Sequence, residues 1–209
     1  MKILTMKQYT DEWWEYRAGK PSGSNASKLV SSTGAFSKSM SEYAIQLACE
    51  QYAGGELETF GGSWAMKRGK ELEDEARIDY QMRTQKVVTE VGMCVDDNER
   101  WLVSPDGLVG DDGMLEVKCQ IAKEHFKSVA YYRKTGKAPT TFHSQTMMEL
   151  MVGERKWCDL YLYHPQLPSV IIRQTPDTEF FIKLESQLTT CVAERNIAYR
   201  LLQEVNSEQ

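Results

Sequence analysis

The pattern of apolar and polar positions changes several times along this chain. The first part favours helices: Thr10 is typical of a helix N-cap, and the helix after it must end before Pro21. A polar loop leads to a short second helix, and a third helix is predicted at about 39–52. The segment SWAMKRGKELEDEARIDYQM then predicts a longer helix.

The middle of the chain has short runs rich in β-branched residues, which are typical of strands. These runs are KVVTEVGMCV, RWLVSPD and GMLEVKC. Two helices are predicted next, at about 122–134 and 140–152, followed by strand-like WCDLYLYH and SVIIRQT. From Asp177 onward apolar residues recur at near-helical spacing, which predicts a C-terminal helix. This order predicts an α/β fold with a mixed central β-sheet flanked by helices.

The length and composition narrow the class of protein. The 209 residues contain no internal repeat and no long linker, so we expect one domain over 1–209. No apolar run approaches the roughly 18 residues that cross a bilayer, and the first residues are too polar for a secretory signal. A cytoplasmic protein is therefore expected. The five cysteines are odd in number, scattered and without a CxxC, which argues against a disulfide framework, a zinc ribbon or an iron–sulfur cluster.

The charge is distributed unevenly, although its sum is only −5. Residues 16–41 contain four basic side chains and no acid, and residues 117–138 contain six basic side chains against one acid. Acids are concentrated at 71–79 and 96–112. An acidic centre between basic segments fits a metal-dependent enzyme that acts on a polyanion. A solvated surface of mixed charge is the commoner explanation of such a composition.

The stretch VSPDGLVGDDGMLEVKC contains the candidate chemistry. Alternate side chains of a strand share a face, so Glu116 and Lys118 point together while Val117 points to the core. A turn in GLVGDDG would bring Asp106, at the end of the preceding strand, beside Glu116. Two adjacent carboxylates repel each other unless a divalent cation neutralises them, and oxygen ligands suit Mg²⁺ or Mn²⁺. The backbone carbonyl of Val117 lies between the charged residues and is a candidate third ligand.

In this interpretation Lys118 would orient a metal-bound water or stabilise charge on an attacked phosphate. The reaction would be hydrolysis of a phosphodiester. The alternative is a surface hairpin with a cross-strand ion pair, because Pro-Asp-Gly is a common turn sequence.

Two helical side chains would complete such a site. Glu73 shares a helix face with Ala76 and Tyr80, so it is placed to point inward, or else it belongs to the solvated run ELEDE. Gln145 is flanked by core residues on its helix and needs hydrogen-bond partners there. A water, a phosphate oxygen or neighbouring backbone would serve.

A third candidate is the loop RAGKPSGS before the second helix. Arg17, Ser22 and Ser24, together with free backbone N–H groups at a helix start, could bind a terminal phosphate. The same serines could instead cap the helix without binding anything.

Taken together, these motifs resemble one known family. WWEYRAGKPSGS, GKELEDEAR, SPDGL, LEVKC and HSQTMMELMV follow one another from about Trp13 to about Pro165. In this order they are similar to the bacteriophage lambda exonuclease family of YqaJ-type viral recombinases, within the PD-(D/E)XK nucleases. The resemblance implies a restriction-endonuclease-like core. It implies metal ligation by Asp106, Glu116 and the Val117 carbonyl, catalytic roles for Lys118, Glu73 and Gln145, a 5′-phosphate pocket of Arg17, Ser22 and Ser24, and a strand-separating wedge at Met66.

The resemblance also implies an activity: a Mg²⁺-dependent 5′→3′ exonuclease on double-stranded DNA with free ends, with two ions per site. Such enzymes leave 3′ overhangs, form ring-shaped homotrimers and work with a single-strand-annealing protein in phage recombination. Two alternatives stay open, an endonuclease that cuts closed circles and a non-enzymatic DNA-binding scaffold. The gap between Asp106 and Glu116 departs from the family in containing Asp111 and Asp112, which we expect to be solvated turn residues.

Overall fold

The computed structural model describes residues 1–55, 57 and 64–207, apart from the side chains of 64–66. Its helices are α1 (Asp11–Arg17), a 3-10 helix (Gly23–Lys28), α2 (Met40–Ala53), α3 (Trp64–Thr84), α4 (Ala122–Thr135), α5 (Thr140–Val152) and α6 (Thr178–Ser207). Its strands are β1 (Lys2–Leu4), β2 (Val88–Thr89), β3 (Met93–Val95), β4 (Leu102–Val103), β5 (Gly107–Val109), β6 (Gly113–Lys118), β7 (Trp157–Leu162) and β8 (Val170–Gln174).

The central sheet has five strands in the order β2-β5-β6-β7-β8. Within this sheet β6 and β7 pair in parallel and the other neighbouring strands pair antiparallel. Helices α4 and α5 form the connection that a parallel pair requires. Helix α3 packs on one face through Ala76 and Tyr80, and α5 packs on the other through Met147 and Met148. The predicted α/β fold with a mixed sheet between helices is confirmed.

A second, three-stranded sheet differs from the prediction. The run KVVTEVGMCV is not one strand: β2 joins the central sheet, while β3 pairs with β1 and β4. The chain bends at Gly92, whose N–H donates to the carbonyl of Leu4 at 2.8 Å. A Cβ at Gly92 would lie 2.3 Å from the backbone oxygen of Met6, so only glycine allows this close approach.

The hairpin around Asp106 also differs in detail from the expectation. The strand before Asp106 ends at Val103 and belongs to the small sheet, and Gly107–Val109 is itself the partner of β6. The turn is confined to the residues between β5 and β6. Asp111 and Asp112 are exposed there, as expected, and Asp112 pairs with Lys156 at 2.9 Å.

The first helix begins as the sequence predicts. Thr10 has extended backbone angles, and its hydroxyl accepts from the Trp13 N–H. None of the helices within the described ranges is long and apolar enough to cross a membrane.

Candidate active site

The pairing of β5 with β6 brings the two candidate metal ligands together. Gly107 is opposite Leu115, so Asp106 lies opposite Glu116 at the end of the ladder. Asp106 Oδ2 accepts from the Val117 N–H at 2.6 Å, which fixes the carboxylate against the next strand. Glu116 is 3% exposed. The expected approach of the two carboxylates is confirmed, although it arises from a different strand than predicted.

Glu116, Lys118 and Gln145 form one connected group. Lys118 Nζ lies 2.6 Å from Glu116 Oε1, which confirms that these side chains share a face of β6. Gln145 reaches them from α5: its Oε1 accepts from Lys118 Nζ at 3.0 Å, and its Nε2 donates to Glu116 Oε1 at 2.6 Å. The lysine is therefore held from two sides.

Glu73 adds a third carboxylate from α3. Its Oε1 lies 3.6 Å from Arg77 Nη1, and its side chain is mostly buried. Burial raises the pKa of Glu73, Arg77 opposes this rise, and the charge of Glu116 adds to it. The pKa of Asp106 is raised well above its ordinary value by burial and by the charges of Glu116 and Glu73. The carboxylates thus disfavour each other's ionisation.

Lys118 stays protonated in this setting. Burial lowers its pKa, but the nearby charges of Glu116 and Asp106 outweigh burial and raise it above the ordinary lysine value. One ammonium accordingly faces several carboxylates, so the site has an excess of negative charge when all of them are ionised.

The carboxylate oxygens of Asp106, Glu116 and Glu73 are the kind of ligand that a hard divalent cation prefers. Glu116 Oε2 is buried and has no hydrogen-bond partner among the described residues, although a buried carboxylate oxygen normally has one. Mg²⁺ binds through one or two carboxylates and completes its shell with water or phosphate oxygens. Across the described parts of the chain, no three or more His, Cys, Asp or Glu side chains already converge as a complete metal cage. A metal here would therefore need ligands besides these carboxylates.

The carboxylates, Lys118 and Gln145 line one cavity of about 710 Å³. Two residues of the predicted phosphate pocket line the same cavity. Arg17 and Ser24 line this cavity together with Asp106, Glu116 and Lys118. The cavity is also lined by Glu73, Val117 and Gln145. The structure thus gathers the predicted acidic and basic residues at one place with Arg17 and Ser24 of the predicted phosphate pocket.

The predicted phosphate pocket is arranged around Arg17. Arg17 Nη1 donates to the Ser104 hydroxyl at 2.9 Å, and its guanidinium lies 4.2 Å from the centre of the Trp13 ring. Ser104 and Asn25, which the sequence did not single out, also line the cavity. Ser104 could have been suspected from its place two residues before Asp106.

Ser22 does not line the large cavity. It is 3% exposed, its Oγ lies 3.3 Å from Ser24 Oγ, and its N–H donates to the Tyr43 hydroxyl. Ser22 therefore supports Ser24 from behind. The side chain of Met66 lies outside the described residues, so its predicted wedge role stays a prediction.

Sequence reasoning missed Glu149 on α5. Glu149 is 1% exposed and lines the cavity, and its Oε1 accepts from Gln145 Nε2 at 2.9 Å. Burial, together with the charge of Glu116, raises its pKa well above the ordinary value. Its position four residues after Gln145 places both side chains on one helix face, a signal that was present in the sequence.

Comparisons with known proteins identify the family of this chain. Residues 12–156 match the family described as the YqaJ-like viral recombinase domain. The crystal structure of an alkaline exonuclease, LHK-Exo, from Laribacter hongkongensis is 29% identical with a TM-score of 0.82, and the match covers 95% of this chain and 99% of that one. The structure of LHK-Exo in complex with dAMP is 30% identical over the same shares of both chains, also with a TM-score of 0.82.

A phage-related exonuclease from Haemophilus somnus 129PT shares the fold, with a TM-score of 0.67 at 14% identity, covering 89% of this chain and 96% of that one. No curated protein matches the sequence. The family match spans most of the chain, including the loop of Arg17, the β5–β6 hairpin and α5. This chain therefore belongs to the YqaJ-like viral recombinase family.

Proposed function

We propose that this protein is a Mg²⁺-dependent 5′→3′ exonuclease. It digests the 5′-ended strand of double-stranded DNA from free ends and leaves 3′ overhangs for phage-type recombination. The observation that supports this most is the single cavity in which Asp106, Glu116 and Lys118 lie together with Arg17 and Ser24. The groups proposed to cut a phosphodiester and those proposed to hold a terminal phosphate thus line the same cavity.

The relatives support the same class of activity. LHK-Exo is described as an alkaline exonuclease and has been solved with dAMP, a 5′-mononucleotide. A mononucleotide is the product expected of an exonuclease, whichever end of the strand it starts from. The viral recombinase family supports a role in recombination.

In this proposal Asp106, Glu116 and the Val117 carbonyl hold Mg²⁺, with Mn²⁺ as the alternative and Glu73 close to a second ion. A bound cation would lower the pKa of a water so that it ionises near neutral pH, and would offset the negative charge of the phosphate. The Lys118 ammonium, held between Glu116 and Gln145, is placed to orient that water and to stabilise charge that develops on the phosphate. Gln145 keeps the ammonium in position.

The partners follow from the family resemblance and are part of the proposal. They are duplex DNA with free ends, two further copies of this chain in a ring-shaped homotrimer, and a single-strand-annealing protein. The place of action is the cytoplasm of a bacterial host.

Digestion of linear and covalently closed duplex in the presence of Mg²⁺ tests the activity. We expect the linear DNA to be degraded and the closed circles to survive, with Asp106→Ala inactive on both. Cutting of the circles would identify an endonuclease instead. Digestion by Asp106→Ala at the normal rate would refute the proposed site.

Arg17→Ala tests the phosphate pocket separately. Because Arg17 is expected to bind the 5′-terminal phosphate, the variant should digest 5′-phosphorylated ends about 10-fold to 100-fold more slowly, the value of a charge-assisted bond. Ends with a 5′-hydroxyl should be affected much less. An equal loss on both kinds of end would count against a role in recognising the terminal phosphate.

A further inference from the structure

The loop that precedes α1 is fastened to the active-site hairpin. Gln8 Nε2 donates to the backbone carbonyls of Val91 and Pro105, both at 3.0 Å. Pro105 immediately precedes Asp106. On the other side of the loop the Thr10 hydroxyl donates to the Lys7 carbonyl at 2.9 Å. The residue between Gln8 and Thr10 is therefore held in a fixed relation to the carboxylates.

That residue, Tyr9, has an unusual backbone. Its φ is 65°, in the left-handed region that a bulky side chain rarely adopts. Such a conformation costs free energy and persists where the surrounding structure imposes it, which is often at a functional site. The Tyr9 ring lies 5.1 Å from the ring of Trp13, and Lys70 Nζ lies 3.8 Å from the centre of the Tyr9 ring. The ring is packed, so its hydroxyl is the end available for an interaction.

The Tyr9 hydroxyl is a hydrogen-bond donor without an acceptor. Within the described part of the chain it makes no hydrogen bond, and the residue is 42% exposed. Partial burial of the phenol raises the pKa of Tyr9 to about 12, helped by the charges of Glu73 and Asp106. The group therefore keeps its proton at the pH at which enzymes work.

Tyr9 and Lys70 border two cavities at once. One is the cavity of about 710 Å³ that contains the catalytic candidates, and the other is a neighbouring cavity of about 350 Å³. Lys70 forms no salt bridge with any side chain in the described ranges, so its ammonium is also available. A neutral donor and a cation side by side match a ligand with several acceptor oxygens and a negative charge.

We propose that Tyr9 and Lys70 bind a backbone phosphate of the DNA strand being digested, at a subsite distinct from the terminal-phosphate pocket of Arg17. The Tyr9 hydroxyl donates to a phosphate oxygen, and Lys70 supplies the charge. The inference rests on the proposed function, because the ligand is the DNA of that reaction.

The test has two measurements. Binding of a 5′-phosphorylated duplex end is measured in a Lys118→Ala background, in which the DNA is not digested. The digestion rate is measured in an otherwise wild-type background. Tyr9→Phe keeps the ring and removes only the hydroxyl, so we expect about tenfold weaker binding and a similar fall in the digestion rate, the value of one hydrogen bond to a charged acceptor. Tyr52→Phe is the matched control, because Tyr52 is 43% exposed and packs on Tyr199, away from both cavities. It should match the wild type.

Lys70→Gln should reduce the slope of log affinity against log salt concentration by about 0.9, as expected for the loss of one contact with a duplex phosphate. Lys86→Gln is its control, since the Lys86 ammonium also lies over a ring, that of Trp157 at 4.3 Å, but borders neither cavity. Wild-type affinity and rate for Tyr9→Phe, or an unchanged slope for Lys70→Gln, would overturn the subsite. If the unmodified protein does not digest linear duplex at all, the proposed function has failed, whatever the binding data show.

Discussion

Two buried carboxylates on neighbouring strands are treated very differently by this fold. Asp159 on β7 is 1% exposed, and its two oxygens accept three hydrogen bonds, two from Arg173 at 2.8 Å and one from Tyr80 at 2.7 Å. Glu116 on β6 is 3% exposed, but only its Oε1 is bonded, while Oε2 has no partner in the part of the chain described. Hydrogen bonds therefore offset the cost of burying the carboxylate fully for Asp159 and only partly for Glu116.

The difference separates a structural acid from a functional one. A buried charge is costly unless it is paired and hydrogen-bonded. The ion pair of Asp159 with Arg173 therefore stabilises the pairing of β7 with β8. Glu116 lines a cavity with other acids close by, an arrangement that lowers stability and that a bound cation would relieve. The two clusters should accordingly respond in opposite ways to mutation.

The largest expected effect comes from removing the basic partner of each carboxylate, Lys118 for Glu116 and Arg173 for Asp159. Lys118→Ala should lower the digestion rate per folded molecule by about 10³-fold, since a general acid–base or charge-stabilising group contributes 10²-fold to 10⁴-fold. Arg173→Ala should keep the specific activity but lower the free energy of unfolding by about 2 kcal/mol, because Asp159 is left without its cation and Arg173 is half-exposed. Activity per folded molecule and denaturant unfolding of both variants check this. Full activity in Lys118→Ala would contradict the functional role assigned to Glu116 and Lys118.

A smaller effect is expected at Glu149, which holds the amide of Gln145. Glu149→Leu should reduce the digestion rate about tenfold without lowering the melting temperature, because replacing a buried acid by an apolar side chain is often neutral or stabilising. Glu149→Gln keeps an acceptor for Gln145 Nε2 and should restore most of the rate.

A double-mutant cycle shows whether Glu149 acts through Gln145. In a Gln145→Ala background the Glu149→Leu change should have little further effect on the rate. Independent, multiplicative losses would mean that Glu149 has another role.

The smallest effect concerns pH and stability in the absence of metal. The folded-state pKa of Asp106 is raised above the ordinary 3.8, so its contribution to stability is present below 3.8 and is lost as pH rises through the raised value. With a chelator at pH 8, Asp106→Asn should therefore melt at a higher temperature than the wild type. This increase in melting temperature should vanish near pH 4.

Asp159→Asn is the comparison, and it should melt at a lower temperature than the wild type at pH 8. Thermal scans with chelator or Mg²⁺ check this: Mg²⁺ should stabilise the wild type and not Asp106→Asn, and a lower melting temperature for Asp106→Asn at pH 8 would contradict the account.

Much of this site could be predicted from sequence because its parts follow regular periods. Strand alternation places Glu116 beside Lys118, and helical spacing turns Glu73 and Gln145 towards the core. The same spacing would have identified Glu149, which was overlooked. The partition into two sheets could not be predicted, because strands of two or three residues are too short to show a period. Tyr9 lies in a loop, where only tertiary contacts fix the side chain.

The identity of the digested strand tests the central claim most directly. A linear duplex is labelled on one strand at either its 5′ or its 3′ end and incubated with the protein and Mg²⁺. We predict early release of the 5′ label as a mononucleotide, while the 3′ label stays on a long strand and single-stranded 3′ overhangs accumulate. Early release of the 3′ label, or internal cuts before either label is lost, would contradict a 5′→3′ exonuclease.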